Sequence, residues 1–436
     1  MTGLPSHKGL VSRGLYQIQK LFMKSIKKSL VIIFGLVPAI HAFTQVPTDS
    51  VSIMTLDQLL PSRSQLGGLT VDRLGYIYVA NFLDKVWKVS PEGKVTLLTD
   101  GLYGASGNTL DALGNLYQSN FFANTITKID RFGNISTYAE KDLNGPVGLA
   151  FDNENNLFVC NCSNNTILKI SPQGISSTFA DGEFFNCPNG ISIDDNNNLI
   201  VVNFNSDEVI KISPEGTAGI LSTIPGGGGN AHIVFYNDNY YISKIKTGQV
   251  FRMTPTGTYQ LLAGTGQIKD EAGPGLQASF ANPNGIGVNA QTGTLYVNTL
   301  VGEWTSQKPS TLSISEIKLL TLPQLLNHYL DKNDIEGAKS AFWAYKNDPQ
   351  HVHENLAPAM AGLAWRNMAN RKIPTAIALF HLTAEAYPDN WRSHYNLGEV
   401  YSIISQPEKA IEYYEKALEK DPQNAMVNGK LKALKK

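Results

Sequence analysis

The sequence predicts a mainly β chain: a six-bladed β-propeller followed by an α-helical solenoid of short repeats. Two observations carry this. A unit made of an apolar run, an Asp/Asn/Gly-rich turn and an alternating apolar strand recurs six times between residues 68 and 299. After residue 320 glycine becomes rare, and Ala, Leu, Glu and Lys at helical spacing take over.

The first unit, GLTVDRLGYIYVANF (68–82), aligns with GNTLDALGNLYQSNF (107–121) at a shift of 39. GLAFDNENNLFVCNC (148–162) follows at 41, and GISIDDNNNLIVVNF (190–204) and HIVFYNDNYYISKIK (232–246) at 42. GIGVNAQTGTLYVNT (285–299) follows at 53, stretched by the insertion 267–279. A third strand comes next, as in KVWKVSP or TILKISP, and a fourth after the next glycine, as in KVTLLTD. Four short strands with turns between them make one propeller blade. The sixth unit has a third strand, SISEIKL (313–319), but no fourth. SVSIMTL (50–56), ahead of the first unit, is expected to supply it and so close the ring.

Charge is balanced, with 36 basic and 37 acidic residues among 436. This excludes the basic stripe of an electrostatic nucleic-acid binder. Lys24, Lys27 and Lys28 precede the apolar run LVIIFGLVPAI (30–40), and a small residue stands at Ala42. That order predicts a signal peptide over 1–42, with Met23 as an alternative start. The mature chain, periplasmic or secreted, then begins near Phe43, with no membrane span left after cleavage. An uncleaved anchor is the competing reading. The expected domains are the propeller over 48–320 and the helical repeats over 321–436.

The blades resemble the NHL repeat family over about 270 residues, most closely at AGTGQIKDEAGPGLQASFANPNGIGV (263–288). They resemble more weakly the gluconolactonase and senescence-marker-protein family, which shares the six-bladed fold. WRSHYNLGEVYSIISQPEKAIEYYEKALEKDPQN (391–424) resembles a tetratricopeptide repeat. It carries Leu397, Gly398, Tyr401, Ala410, Tyr414, Ala417 and Pro422. A weaker copy holds Leu363, Ala364, Ala376, Phe380 and Pro388, and a degenerate one Ala338, Phe342 and Pro349. Such repeats commonly take a peptide or protein in their groove.

Candidate site residues cluster on the rim where each inner strand begins. Asn189 and Asn284 precede inner-strand glycines. The gluconolactonase resemblance implies that amides there bind a divalent cation, commonly calcium. The other four blades carry Gly67, Ser106, Val147 and Ala231 instead, and the family's acidic ligand has no counterpart. A tight turn is the competing reading. His232 replaces the glycine of the fifth blade; it is either a channel general base or a hydrogen-bonded histidine in a diverged blade. Lys244 and Lys246 flank Ile245 where other blades have Asn. Asn108, in the loop GASGN, joins the ligand-binding candidates. The asparagines at 81, 120, 161, 203 and 298 recur too evenly for one asymmetric ligand and are expected to hold neighbouring loops. Phe82, Phe121 and Phe204 follow three of them, either packed between blades or forming an aromatic shelf for a carbohydrate or peptide. Of the cysteines, Cys160 and Cys162 end one second strand and Cys187 precedes the next blade. A Cys162–Cys187 disulfide and three reduced thiols are both open.

The function expected from these features is a ligand- or protein-binding scaffold. A cation-dependent hydrolase or lactonase, worked by Asn189, Asn284 and His232, is the alternative.

Overall fold

The computed structural model describes residues 49–62, 66–301, 310–348, 351 and 354–435. The proposed signal segment and its cleavage point lie outside them, as does Pro349. The chain from Pro47 onward forms one compact unit.

Five blades are four-stranded antiparallel sheets whose strands follow chain order from the inside outward. Blade one holds β3 (Leu69–Val71), β4 (Ile77–Ala80), β5 (Val86–Val89) and β6 (Val95–Thr99). Blade two holds β7 (Ala105–Leu110) to β10 (Ile135–Ala139), and blade three β11 (Pro146–Phe151) to β14 (Ser176–Ala180). Blade four holds β15 (Pro188–Ile193) to β18 (Ala218–Thr223), and blade five β19 (Asn230–Tyr236) to β22 (Tyr259–Ala263). Second strands such as LFVCN (157–161) and LIVVN (199–203) are buried at every residue. They lie between the faces of two neighbouring blades, so they read as continuous apolar runs rather than alternating ones. The inner strands β3, β7, β11, β15, β19 and β24 (Ile286–Asn289) neighbour one another in a closed circle.

Blade six completes that circle with a strand from the other end of the domain. Its sheet runs β23 (Gly273–Pro274), β1 (Ser50–Ile53), β26 (Ser310–Lys318), β25 (Thr294–Val301), β24. β1 pairs antiparallel with β26, Ser50 opposite Lys318 and Ile53 opposite Ser315. The insertion contributes β23, which pairs with β1 on its other side. Asp49 ties this corner: its carboxylate accepts from Leu320 N at 2.6 Å and its carbonyl from Gly275 N at 2.8 Å. β2 (Leu60–Ser62) then pairs with the start of β26.

Because strands alternate in direction, the turns from first to second and from third to fourth strand of every blade lie at one end of the ring. The rim loops lie at the other. Most first turns are closed by an aspartate. Asp72, Asp111, Asp152 and Asp194 each accept backbone N–H groups two and four residues on.

Seven helices follow among the described residues: α1 (Leu322–Leu330), α2 (Ile335–Asn347), α3 (Ala357–Ala369), α4 (Ile373–Ala386), α5 (Trp391–Ile403), α6 (Pro407–Lys420) and α7 (Ala425–Leu434). They pair as α1/α2, α3/α4 and α5/α6, with α7 against α6. Proline opens four of them, where its missing N–H costs nothing, and a Thr321/Gln324 capping box starts α1. Leu397, Tyr401, Ala410, Tyr414 and Ala417 are buried, as are Leu363, Ala364, Ala376, Phe380, Ala338 and Phe342. Gly398 lets the Tyr414 ring lie against its backbone; a β-carbon there would fall inside that ring's contact distance. The helices meet the propeller through a buried charged corner. Tyr345 stacks on His351 at 3.7 Å between ring centres and His351 Nδ1 lies 2.7 Å from Glu354; burial pushes the Tyr345 hydroxyl pKa up, with Glu354 adding to the rise and Arg252 of the propeller opposing it.

Candidate functional site: the channel, the rim and a helical pocket

The channel follows from the ring of inner strands, and all six contribute to its wall. Leu69, Leu110, Phe151, Ile193, Val234 and Val288 are among the residues lining a cavity of about 290 Å³ whose wall mixes polar and apolar surface. Asn108, Thr70, Ser192 and His232 are the polar members that matter here. Among the described residues no carboxylate lines it.

Asn284 donates its amide to Leu66 O at 2.8 Å and Gly67 O at 2.9 Å, across to blade one. Asn189 donates likewise to Ala231 O of blade five. Both amides therefore stitch their blade to the next. Among the described residues no group of three or more His, Cys, Asp or Glu gathers where a metal ion would sit. The donors present do not fit a calcium site, which takes six to eight oxygens with carboxylates among them. Asn108 spends its nitrogen on Gln118 Oε1 at 3.2 Å, while its buried carbonyl oxygen has no partner among the described residues.

His232 lines the channel, yet both its ring nitrogens are covered and neither makes a well-formed hydrogen bond. Burial pushes its pKa down to about 4, against a weaker upward pull from Asn284. At neutral pH the imidazole is uncharged. Its neighbours are Asn284 and the channel wall, and among the described residues no acid acts on it to orient the ring as a catalytic pair requires.

Blade five departs from the others at the second strand as well. The ladder sets Asn230 opposite Lys244, as Pro188 stands opposite Asn203 in blade four. The turn between first and second strands is shorter, Tyr236 pairing directly with Asn239. Lys244, rather than Ile245, thus takes the asparagine position, which corrects the alignment at constant shift. Its ammonium is fully buried and donates to Asp207 Oδ1 (2.9 Å), Ile224 O (2.9 Å) and Asn230 Oδ1 (3.0 Å). Asp207 also receives the N–H groups of Gly226, Gly227 and Gly228. These glycines have positive φ (150°, 74° and 79°), which arrays their N–H groups toward one anion.

In blades one, three, four and six the recurrent asparagine holds loops, as its even recurrence implied, whereas Asn120 of blade two donates instead to Thr125 and Thr127 of its own third strand. Asn81 accepts from the N–H groups of Leu83, Asp84 and Lys85. Asn161 joins Asn144 N and Asp142 O, Asn203 joins Asn186 N and Phe184 O, and Asn298 joins Gly285 N and Gly67 O.

Phe82 and Phe121 meet at 5.7 Å between ring centres, and Phe122 and Tyr103 extend the group. Phe121 lies against Gly145 of blade three. The inner part of the group is packed, while Phe122 and Tyr103 stay largely exposed. Phe204 stands apart on blade four, its backbone bonded to Cys187 O and Gly229 N. The structure joins Cys162 to Cys187 in a disulfide between blades three and four and leaves Cys160 buried and free. The register explains the choice. Cys160 lies inside the second strand opposite Ile167, whereas Cys162 lies just beyond it on the rim.

A pocket that the sequence reading missed lies between α2 and α4, with about 200 Å³ of room. Leu330, Ile335, Ala338, Ala378 and Leu382 make its floor, and Lys339 and Glu385, 3.6 Å apart, stand at its edge. Its residues come from two repeats, so only the stacking of helices assembles it.

The tetratricopeptide repeat family matches residues 391–424. A protein described as CTR9 homolog from Arabidopsis thaliana is 32% identical over 102 residues, 23% of this chain; the match spans only 9% of that protein's length. Among solved structures, a protein of unknown function from Bacteroides thetaiotaomicron is similar with a TM-score of 0.51 and 12% identity, over 62% of this chain and 76% of that one. An auxiliary nutrient binding protein from Bacteroides ovatus has a TM-score of 0.50 and 13% identity, over 61% and 77%. A gluconolactonase from Xanthomonas campestris has a TM-score of 0.46 and 17% identity, over 62% and 95%. At these identities the likeness concerns the fold alone. The chain is a six-bladed β-propeller followed by a helical region that carries a tetratricopeptide repeat.

Proposed function

We propose that this chain is an exported scaffold whose helical repeats bind a segment of another protein, with the propeller as its rigid base. The observation that supports this best is the matched repeat at 391–424, stacked on two further helix pairs that themselves enclose a pocket floored by aliphatic side chains. Paired-helix repeats of this kind present surfaces to peptides. Export is supported by the leader-like run 30–40 and by the rim disulfide, a bond that persists in oxidising compartments. The rim aromatics Phe122 and Tyr103 are the place where a small molecule or carbohydrate would meet the propeller. Among the described residues no cation ligand set gathers in the channel that would support the hydrolase reading.

The test is crosslinking in cells that express the full chain, comparing wild type with Ala378→Gln. Ala378 is half-buried in the pocket wall, so the longer side chain fills the space while the helices stay paired. A defined crosslinked partner that is lost in Ala378→Gln supports the reading. A crosslink pattern unchanged by this substitution and by deletion of 321–436 rules it out.

A further inference from the structure

The two halves of the propeller channel are built differently. Where the inner strands begin, they crowd together. A β-carbon on Gly68 would meet Gly107 Cα, one on Gly148 the carbonyl of Asn189, one on Gly190 the Cα of His232, and one on Gly285 the backbone N of Leu69. Glycine at this level in five blades lets the strands close into a collar, and His232 takes the sixth place. The cavity of about 290 Å³ lies on the far side of that collar from the rim loops. Its lining runs from Gly107, Gly148 and His232 to the last residues of the inner strands, which lead into the first turns.

The wall changes character along this half. Thr70, Thr109 and Ser192 share one level with Ala150 and Val234. One residue further on, Val71, Leu110, Phe151, Ile193 and Val288 supply an apolar ring, each side chain half-buried. The turns beyond the ring are acidic. Asp72, Asp111, Asp152 and Asp194 directly follow Val71, Leu110, Phe151 and Ile193. Glu154, Asp195 and Asp238 add to them, and Arg73 is the one cation among the residues of the six first turns. The turn-closing aspartates accept from their own backbone, so they act on a guest through their field. Glu154 and Asp195 are exposed to solvent. An opening ringed by one sign of charge, above walls of low dielectric, concentrates counter-ions at its mouth. Among the described residues no carboxylate lines the cavity itself, so a cation drawn inside would lose its hydration without a partner.

We propose that this half of the channel binds a small amphipathic organic cation, in its simplest form an alkylammonium. The alkyl chain lies along the apolar ring toward the collar. The ammonium stays in water at the mouth, among the turn carboxylates. The volume is at the small end for a ligand cavity, which limits the guest to a short chain. An anionic amphiphile meets repulsion at the same mouth, and a neutral one gains the wall alone. The proposal is independent of what the helical repeats bind.

The test uses residues 43–436, which contain the whole compact unit from Pro47 and leave out the apolar run 30–40. Octyltrimethylammonium is titrated by calorimetry below its micellar concentration, with octyl sulfate and octanol as anionic and neutral comparators. The cation is expected to bind at one site, more weakly as salt rises. Octanol is expected to bind less tightly, and octyl sulfate not at all. Glu154→Lys/Asp195→Lys reverses the charge at two exposed turn positions and keeps the turn-closing aspartates. It is expected to lower the affinity for the cation about tenfold. Val288→Phe narrows the apolar ring and is expected to abolish binding of the cation and of octanol. Thr109→Leu, on the same cavity wall, serves if Val288→Phe lowers the melting temperature. Absence of binding by the cation overturns the proposal, as does equal affinity for octyl sulfate or octanol. Cation binding unchanged in both wall variants also overturns it, since the cation then binds elsewhere.

Discussion

Lys244 Nζ lies 2.9 Å from Asp207 Oδ1 across the junction of blades four and five, and the lysine side chain is fully buried. Burial would raise the Asp207 carboxyl, but Lys244 and the glycine N–H groups outweigh it and hold it below the usual carboxylate range. Removing one partner of such a pair leaves the other without compensation, at about 3 kcal/mol or more. Asp207→Ala is expected to be the more damaging change, because it strands a buried ammonium and releases the loop Gly226–Gly228. Lys244→Asn restores the residue type of the sister blades and is expected to cost less. Urea denaturation of both variants checks the order. A depressed carboxylate contributes stability above its unfolded pKa and loses it as pH falls through the folded one. The wild-type advantage over Asp207→Ala should therefore shrink below about pH 4.

His232 gives a second pH signature. Its folded pKa of about 4 lies below the ordinary 6.5, so the unfolded chain binds the extra proton between those values. Stability is expected to fall as pH drops through that window, by up to about 3 kcal/mol. Melting temperatures at pH 7 and pH 4.5 should differ less in His232→Asn than in wild type. Equal differences would show that another group governs this range.

The rim disulfide closes a loop of 25 residues in sequence separation, worth about 3 kcal/mol in the chain-entropy description. Cys162→Ser and Cys187→Ser are each expected to lower the melting temperature, and the double variant to be no worse than either single one. Protein denatured without reductant should show one titratable thiol, Cys160.

Ring closure by β1 predicts unusual sensitivity at the start of the domain. Val51 is 4% exposed and packs with Leu262 and Ile317. Val51→Ala should cost about 2 kcal/mol through lost burial and the cavity left behind. Deleting 50–56 should remove cooperative unfolding of the propeller, because it exposes the edge of β26. Calorimetry separates these outcomes from the small effect of trimming a loose tail.

Export predicts that protein recovered from its native compartment begins near Phe43, where the basic and apolar stretches of the leader have ended. N-terminal sequencing reads this directly, and retention of residues 30–40 would instead indicate an anchor.

The recurrence of blade strands and the 34-residue helical repeat were legible in the sequence. Both rest on local periodicity, with apolar alternation for strands and small-and-large spacing for paired helices. The missing fourth strand at 50–56 was legible for a similar reason: an orphan strand and an incomplete blade must find each other. Tertiary structure alone decided that Lys244 sits at the asparagine position, since a shortened turn shifts register without altering the apolar pattern. It also turned Asn189 and Asn284 toward backbone carbonyls of the next blade, where the sequence left a ligand role open. The helical pocket arises from residues distant in sequence that only packing brings together. Periodicity speaks for the backbone path. Contacts between repeats depend on side chains that differ from one repeat to the next, and these are decided when the ring and the solenoid close.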